Sequence, residues 1–221
     1  MKRITVVSLL LFSLLAHGPS WAQSAKESVK LSNLVLLDWT SSPVDWRPVL
    51  TTSIKTAQQK DLIMNVSLET GLWTQTIVKS KGGTSDTSHA AAGVHVRVLV
   101  DNQVVEPGEV VFARRSQDLT ALFGGILQSC SDANADGTIT SDECLFTNEE
   151  LDMILDSMNA NAFIFALPNM TAGTHSVVVQ ARIDMGISAQ AGTAVAKAMI
   201  GKGSVTVEEV RLIKGANIFE F

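Results

Sequence analysis

Between its only two cysteines the chain reads CSDANADGTITSDEC, residues 130–144. Asp132, Asn134 and Asp136 alternate, Gly137 follows at once, and Glu143 closes the run before Cys144. These side chains offer oxygen donors and no soft ligand, which suits a hard divalent cation taking roughly six to eight oxygens. Side chains at alternate positions converge on one point only if the backbone then turns sharply. Gly137 is the residue that tolerates the left-handed conformation such a turn needs. The surroundings call for a cation as well. From Ser116 to Ala181 there is no Lys or Arg, while Asp118, Asp132, Asp136, Asp142, Glu143, Glu149, Glu150, Asp152 and Asp156 all fall there.

The pattern Asp132-x-Asn134-x-Asp136-Gly137-x5-Glu143 resembles the calcium loop of EF-hand proteins at every defining position. The resemblance implies Ca2+ held by the side chains of Asp132, Asn134 and Asp136 and by the carbonyl of Thr138. Thr140 would act directly or through water, and Glu143 would give both oxygens. It covers residues 132–143 alone. Outside them the apolar spacing departs from the EF-hand register, and no second loop is present to pair with the first. A structural calcium loop is therefore expected rather than a sensor that opens a groove, with weak affinity of about 10⁻⁴ to 10⁻³ M. An acidic turn without metal fits the same residues.

The ends of the chain set the compartment. Lys2 and Arg3 precede an apolar run, Ile4 to Ala16, and Ser20-Trp21-Ala22 has the small-x-small pattern of a cleavage site. Residues 1–22 thus read as a secretory signal peptide, and residues 23–221 as one exported domain, periplasmic or extracellular. Loss of Lys2 and Arg3, with no acid, moves the formal charge from −5 to −7. Such a chain is a poor ligand for nucleic acid or anionic membranes, and no later apolar run reaches the length of a membrane span. In an oxidising compartment Cys130 and Cys144 are expected to form one disulfide. A buried Cys130 beside a free Cys144 thiol is the other reading.

The elements that must position the loop follow from periodicity. Leu62, Met64, Val66 and Leu68 alternate with polar residues, as do Val94, Val96, Val98 and Val100, and Val177, Val179, Ala181 and Ile183. Further strand candidates are 33–39, 72–80, 109–115, 162–167, 189–200 and 204–214. Turns are expected at Lys81-Gly82-Gly83, Asp101-Asn102, Pro107-Gly108, Ala172-Gly173 and Gly201-Lys202-Gly203. The whole reads as a mainly β protein, an antiparallel β-sandwich, with 80–93 as a mobile loop. Residues 116–160 read as an inserted helix–calcium-loop–helix. Leu119, Leu122, Phe123, Ile126 and Leu127 have helical spacing, and Thr147-Asn148-Glu149-Glu150 has the form of a capping box before Leu151, Ile154, Leu155 and Met158.

Catalytic patterns are sparse. After the signal peptide the histidines are His89, His95 and His175, none spaced as a metal pair, and no G-x-S-x-G, H-E-x-x-H or phosphate loop occurs. His89 reads as solvated, and His95 and His175 as polar-face or strand-edge residues. Trp39 and Trp46, in a Pro/Ser-containing stretch, are candidate ligand contacts if exposed, or core plugs if not. The sequence thus points to an exported, non-catalytic, calcium-stabilised structural or binding module with an extracellular protein or glycan as partner. The alternative is a carbohydrate-active module, sugar-binding or hydrolytic.

Overall fold

The computed structural model describes residues 26–32, 45–79, 84–125 and 127–212. Their secondary structure is almost all strand: β1 (Glu27–Ser32), β2 (Arg47–Thr56), β3 (Lys60–Lys79), β4 (Ser85–Val100), β5 (Gln103–Val104), β6 (Val110–Leu122), β7 (Leu127–Cys130), β8 (Cys144–Phe146), β9 (Glu150–Met170), β10 (Gly173–Ala189) and β11 (Thr193–Val210). The only helical turn among them is a single 3-10 turn, Ser141–Glu143. None of it is a helix long and apolar enough to cross a membrane.

Two antiparallel sheets share one core. One runs β1-β11-β3-β9 and the other β2-β10-β4-β5, with β6 also paired to β4. Period-two alternation accounts for the core. Met64 and Val66 of β3, Val94, Val96 and Val98 of β4, Val177, Val179 and Ala181 of β10, and Val205 and Val207 of β11 are all buried, with Phe165 of β9 between them. Burying such side chains, at about 1.5–3 kcal/mol each, drives the sheets together.

Strands expected as separate pieces are continuous. The 62–68 candidate and residues 72–79 of the 72–80 candidate lie in one strand, β3, because its core-facing alternation never breaks. The 189–200 and 204–214 candidates lie largely in β11. Gly201-Lys202-Gly203 is not a turn but a shift of register between Ile200 and Gly203. A Cβ on Gly203 would come within 2.3 Å of Leu68 Cδ2, so a side chain there would displace Leu68 from the core. The expected loop 80–93 is also corrected. Ser85 to Gly93 belong to β4, paired with β10 and β6. Asp101 and Asn102 do form the expected turn, both at positive φ (49° and 68°), as a two-residue hairpin between right-twisting strands requires. The 33–39 strand, the Lys81-Gly82-Gly83 turn and the signal peptide lie outside the described residues.

The main correction concerns 116–160. Among the described residues no helix longer than the Ser141–Glu143 turn flanks the acidic loop. Residues 116–122 continue β6 and residues 150–160 begin β9. The helical spacing misled because β9 carries apolar residues on both faces: Leu151, Met153 and Leu155 on one, Ile154 and Met158 on the other. Such a strand satisfies a period of 3.6 as readily as one of 2. In β6 the inward positions are Gln117 and Leu119, which alternate. The Thr147–Glu150 pattern caps no helix. Glu149 Oε2 accepts the Gly125 N–H at 3.0 Å, and Glu150 pairs with Lys79 at 3.2 Å.

Candidate functional site

The acidic run is the tip of a hairpin made by β7 and β8, which leads directly into β9. Cys130 and Cys144 are the last pair of the hairpin before the loop and are joined by a disulfide, with Cα atoms 4.1 Å apart. Both cysteines of the chain are thereby used. The bridge holds the two arms at the point where the first and last oxygen-bearing residues must come together.

Inside the tip the side chains gather the loop's own amides. Asp132 Oδ1 accepts the Asp136 N–H at 3.1 Å and Oδ2 the Gly137 N–H at 2.8 Å. Asn134 Oδ1 also accepts the Asp136 N–H, at 3.0 Å, and Asp136 Oδ1 accepts that of Thr138 at 2.7 Å. Glu143 reaches back across the loop. Its Oε1 accepts the Ala133 and Asn134 N–H groups at 3.1 and 3.3 Å, and its Oε2 the Thr140 N–H at 3.0 Å and the Thr140 hydroxyl at 3.3 Å. Gly137 has φ +81°, the left-handed value its position in the sequence called for. The Thr140 amide, followed by those of Asn134 and Ala133, holds the Glu143 carboxyl below the usual carboxylate range. Ile139 is exposed.

A divalent cation would find only oxygen donors here. Each ionised carboxylate has about four lone-pair sites, so an amide bond on each oxygen leaves capacity for a metal. Even so, no group of three or more His, Cys, Asp or Glu side chains among the described residues is set to hold a metal ion. Asp132, Asp136 and Glu143 are brought into one loop, each turned to backbone amides.

The two tryptophans differ. Trp39 lies outside the described residues. Trp46 neither plugs the core nor stands open. Its ring covers the outer face of the β4–β10 pair, with the Arg97 and Arg182 guanidinium carbons 4.3 and 5.3 Å from the ring centre. Arg97 also donates to Gln180 and Arg182 to Glu109. His95 Nδ1 lies 2.6 Å from Glu109 Oε1, at ion-pair distance but without hydrogen-bond alignment. This face is a knit of opposite charges with a Trp lid.

The other histidines are paired as well. His89 is on β4, not in a solvated loop, and contacts Asp118 at 2.6 Å. His175 is buried. Its Nδ1 is 2.7 Å from Asp101 Oδ2, and its Nε2 lies 2.9 Å from the Thr171 carbonyl and 3.3 Å from the Thr56 hydroxyl. Asp101–His175–Thr56 has the order of an oriented nucleophile. However, Thr56 is 2% exposed and its hydroxyl donates to Thr171 O at 2.7 Å. The group clamps the end of β2 to the β4–β5 and β9–β10 turns.

Sequence reasoning missed two features. Thr74, Thr76 and Gln117 form a buried polar cluster between the sheets. Threonines on the core-facing rhythm of β3 were the signal that polar partners must face them. Trp73 is the other. Lys197, Trp73 and Asp156 lie in one row across β11, β3 and β9, beside a shallow cavity of about 230 Å³ that Met199 also lines. The Lys197 ammonium is 5.1 Å from the Trp73 ring centre.

No protein family matches the chain, and no curated protein does. Among solved structures, the chain is similar to one titled as the structure of infectious bursal disease virus Gx strain, at 10% identity over 86% of this chain and 39% of that one, with a TM-score of 0.25. A Gt strain structure of the same virus matches at 12% identity over 89% of this chain and 45% of that one, with a TM-score of 0.19. The chain therefore spans less than half the length of either, and likenesses this weak carry no argument about fold or function.

Proposed function

We propose that the protein is an exported, non-catalytic binding or structural module built on a β-sandwich and stabilised by Ca2+ at the 132–143 loop. One observation supports the reading above others. The side chains of Asp132, Asn134, Asp136 and Glu143 turn into a disulfide-closed loop whose glycine takes the left-handed turn at +81°. Asp132, Asn134, Asp136 and Glu143 would hold the ion with the Thr138 carbonyl, and Thr140 would complete the shell. The ion would supply charge neutralisation to the acids of the loop, in a segment with no Lys or Arg of its own from Ser116 to Ala181. It would fix the hairpin just before β9, and so the surface that β9 presents.

Thermal melts of the EDTA-treated mature chain test this. Added Ca2+ should raise the midpoint, and Glu143→Gln should abolish most of the rise while leaving the metal-free melt near that of the parent. A Ca2+ shift equal in parent and variant would refute the ligand assignment.

The second reading, a sugar-binding surface, draws on the Trp73 cavity. An aromatic ring flanked by Asp156 and Lys197 offers a stacking plane with polar groups at its rim. Trp73→Ala should then weaken retention on immobilised polysaccharides, and unchanged retention would remove this reading.

A further inference from the structure

Strand β9 is the last of its sheet. Toward β3 it is paired without interruption from Leu167↔Leu62 to Glu150↔Lys79. On its other side no described strand pairs with it. Among the described residues, the one backbone–backbone hydrogen bond along that edge is from the Ala166 N–H, which donates outward to the Glu106 carbonyl at 3.1 Å, an isolated bridge. Since the register is unbroken, every second residue from Ile164 back to Asp152 turns its N–H and C=O outward as Ala166 does. That is an open edge about 40 Å long.

Edges of this kind are ordinarily blunted by Lys, Pro or a bulge. Between Glu150 and Leu167 there is no Lys, Arg or Pro, and no bulge. Instead both faces carry exposed apolar side chains: Ile154, Met158 and Ile164 on the outer face (53–59% exposed), Leu151, Leu155 and Phe163 on the inner (40–43%). Met153, 39% exposed, adds to the inner row; a stable interface takes about 800 Å² from each partner.

We propose that β9 pairs antiparallel with β9 of a second copy of this chain, joining the two β1-β11-β3-β9 sheets into one of eight strands. The limits of the edge select this occupant. Glu106 closes it at Ala166, and at the far end Glu150 is held to β3 by Lys79, so the stretch between, Asp152 to Ile164, has Met158 at its midpoint. A two-fold axis at Met158 uses the whole stretch in both copies and stops short of Glu106. In that register Asp156 faces Ala160 and Asp152 faces Ile164, so no acid opposes an acid. Large residues meet small ones on the outer face, Ile154 against Ala162, and Met153 meets Phe163 on the inner. Pairing of an edge with itself is closed by symmetry, so the assembly ends at two.

Light scattering of the mature chain on a sizing column, with two variants, tests the proposal. Met158→Pro removes an outward N–H and spares the bonds to β3. Ile154→Lys places a charge on the edge and, being a surface change, covers the case in which the proline variant fails to fold. The parent should run at twice the chain mass, and the folded variants at the chain mass with the parent's far-UV spectrum. A monomeric parent, or a dimer that persists in the folded variants, overturns the proposal. So does a dimer lost on deletion of residues 213–221, which would make the C-terminal segment the occupant of the edge.

Discussion

Gln117 ties the two sheets together through groups that water cannot reach, so its removal should be costly. Its Oε1 accepts the Thr74 hydroxyl at 2.7 Å, and its Nε2 donates to Thr76 Oγ1 at 2.6 Å and to the Met153 carbonyl at 3.0 Å. Thr74 and Thr76 are fully buried and Gln117 is 5% exposed. In Gln117→Ala the Thr74 hydroxyl loses its acceptor, and Thr76 and Met153 each lose a donor. Three bonds at a net of about 1 kcal/mol each, with the penalty for a stranded buried hydroxyl, give a loss of about 3–4 kcal/mol. A domain's whole stability is about 5–15 kcal/mol, so the urea midpoint should fall steeply with little change in slope. The triple variant Thr74→Val, Thr76→Val, Gln117→Leu keeps the shapes and removes the polar groups together, and should recover most of the loss. A loss below about 1 kcal/mol in Gln117→Ala, or a triple variant weaker than the single, would refute the reasoning.

Two further outcomes follow from the same geometry. Replacing Cys130 and Cys144 by Ser opens a 14-residue closure and should lower stability by about 3 kcal/mol in the chain-entropy account, read from urea unfolding of the double variant. Acid should act through Asp86 and Asp101. The Lys79 and Ala191 amides hold Asp86 below the usual carboxylate range, while the His175 hydrogen bond and the Ser176 amide do the same for Asp101. A carboxyl lowered on folding stabilises above its unfolded value, about 3.9, and that stability is lost as pH falls through the folded value. Melting points of the parent should therefore drop below about pH 4, and more shallowly in Asp86→Asn.

The parts of the fold with one polar and one apolar face were legible from the sequence. The rows at 62–68, 94–100 and 177–183 lie on the core face, since a period of two admits only one burial pattern once a single face is apolar. β9 was legible only at 162–167; its first half, 150–160, was not, because its apolar residues cover both faces, a consequence of its edge position rather than of helix. Long strands were cut short where Gly201-Lys202-Gly203 looked like a turn, since a glycine required by Leu68 reads the same as one required by a bend. At the candidate site the left-handed turn at Gly137 and the Cys130–Cys144 bridge were legible. Asp132, Asn134, Asp136 and Glu143 turn inward, Gly137 is left-handed, and Cys130 is joined to Cys144. The flanking structure was not, because spacing within a loop says nothing of whether helices or a β-hairpin present it.

The most direct test of the central claim is a calorimetric Ca2+ titration of the mature, EDTA-stripped chain with its disulfide intact. One site per chain, with a dissociation constant of about 10⁻⁴ to 10⁻³ M and loss of binding in Glu143→Gln, is the predicted result. No heat of binding up to millimolar Ca2+ would contradict the account and leave residues 132–143 as an acidic, disulfide-held turn.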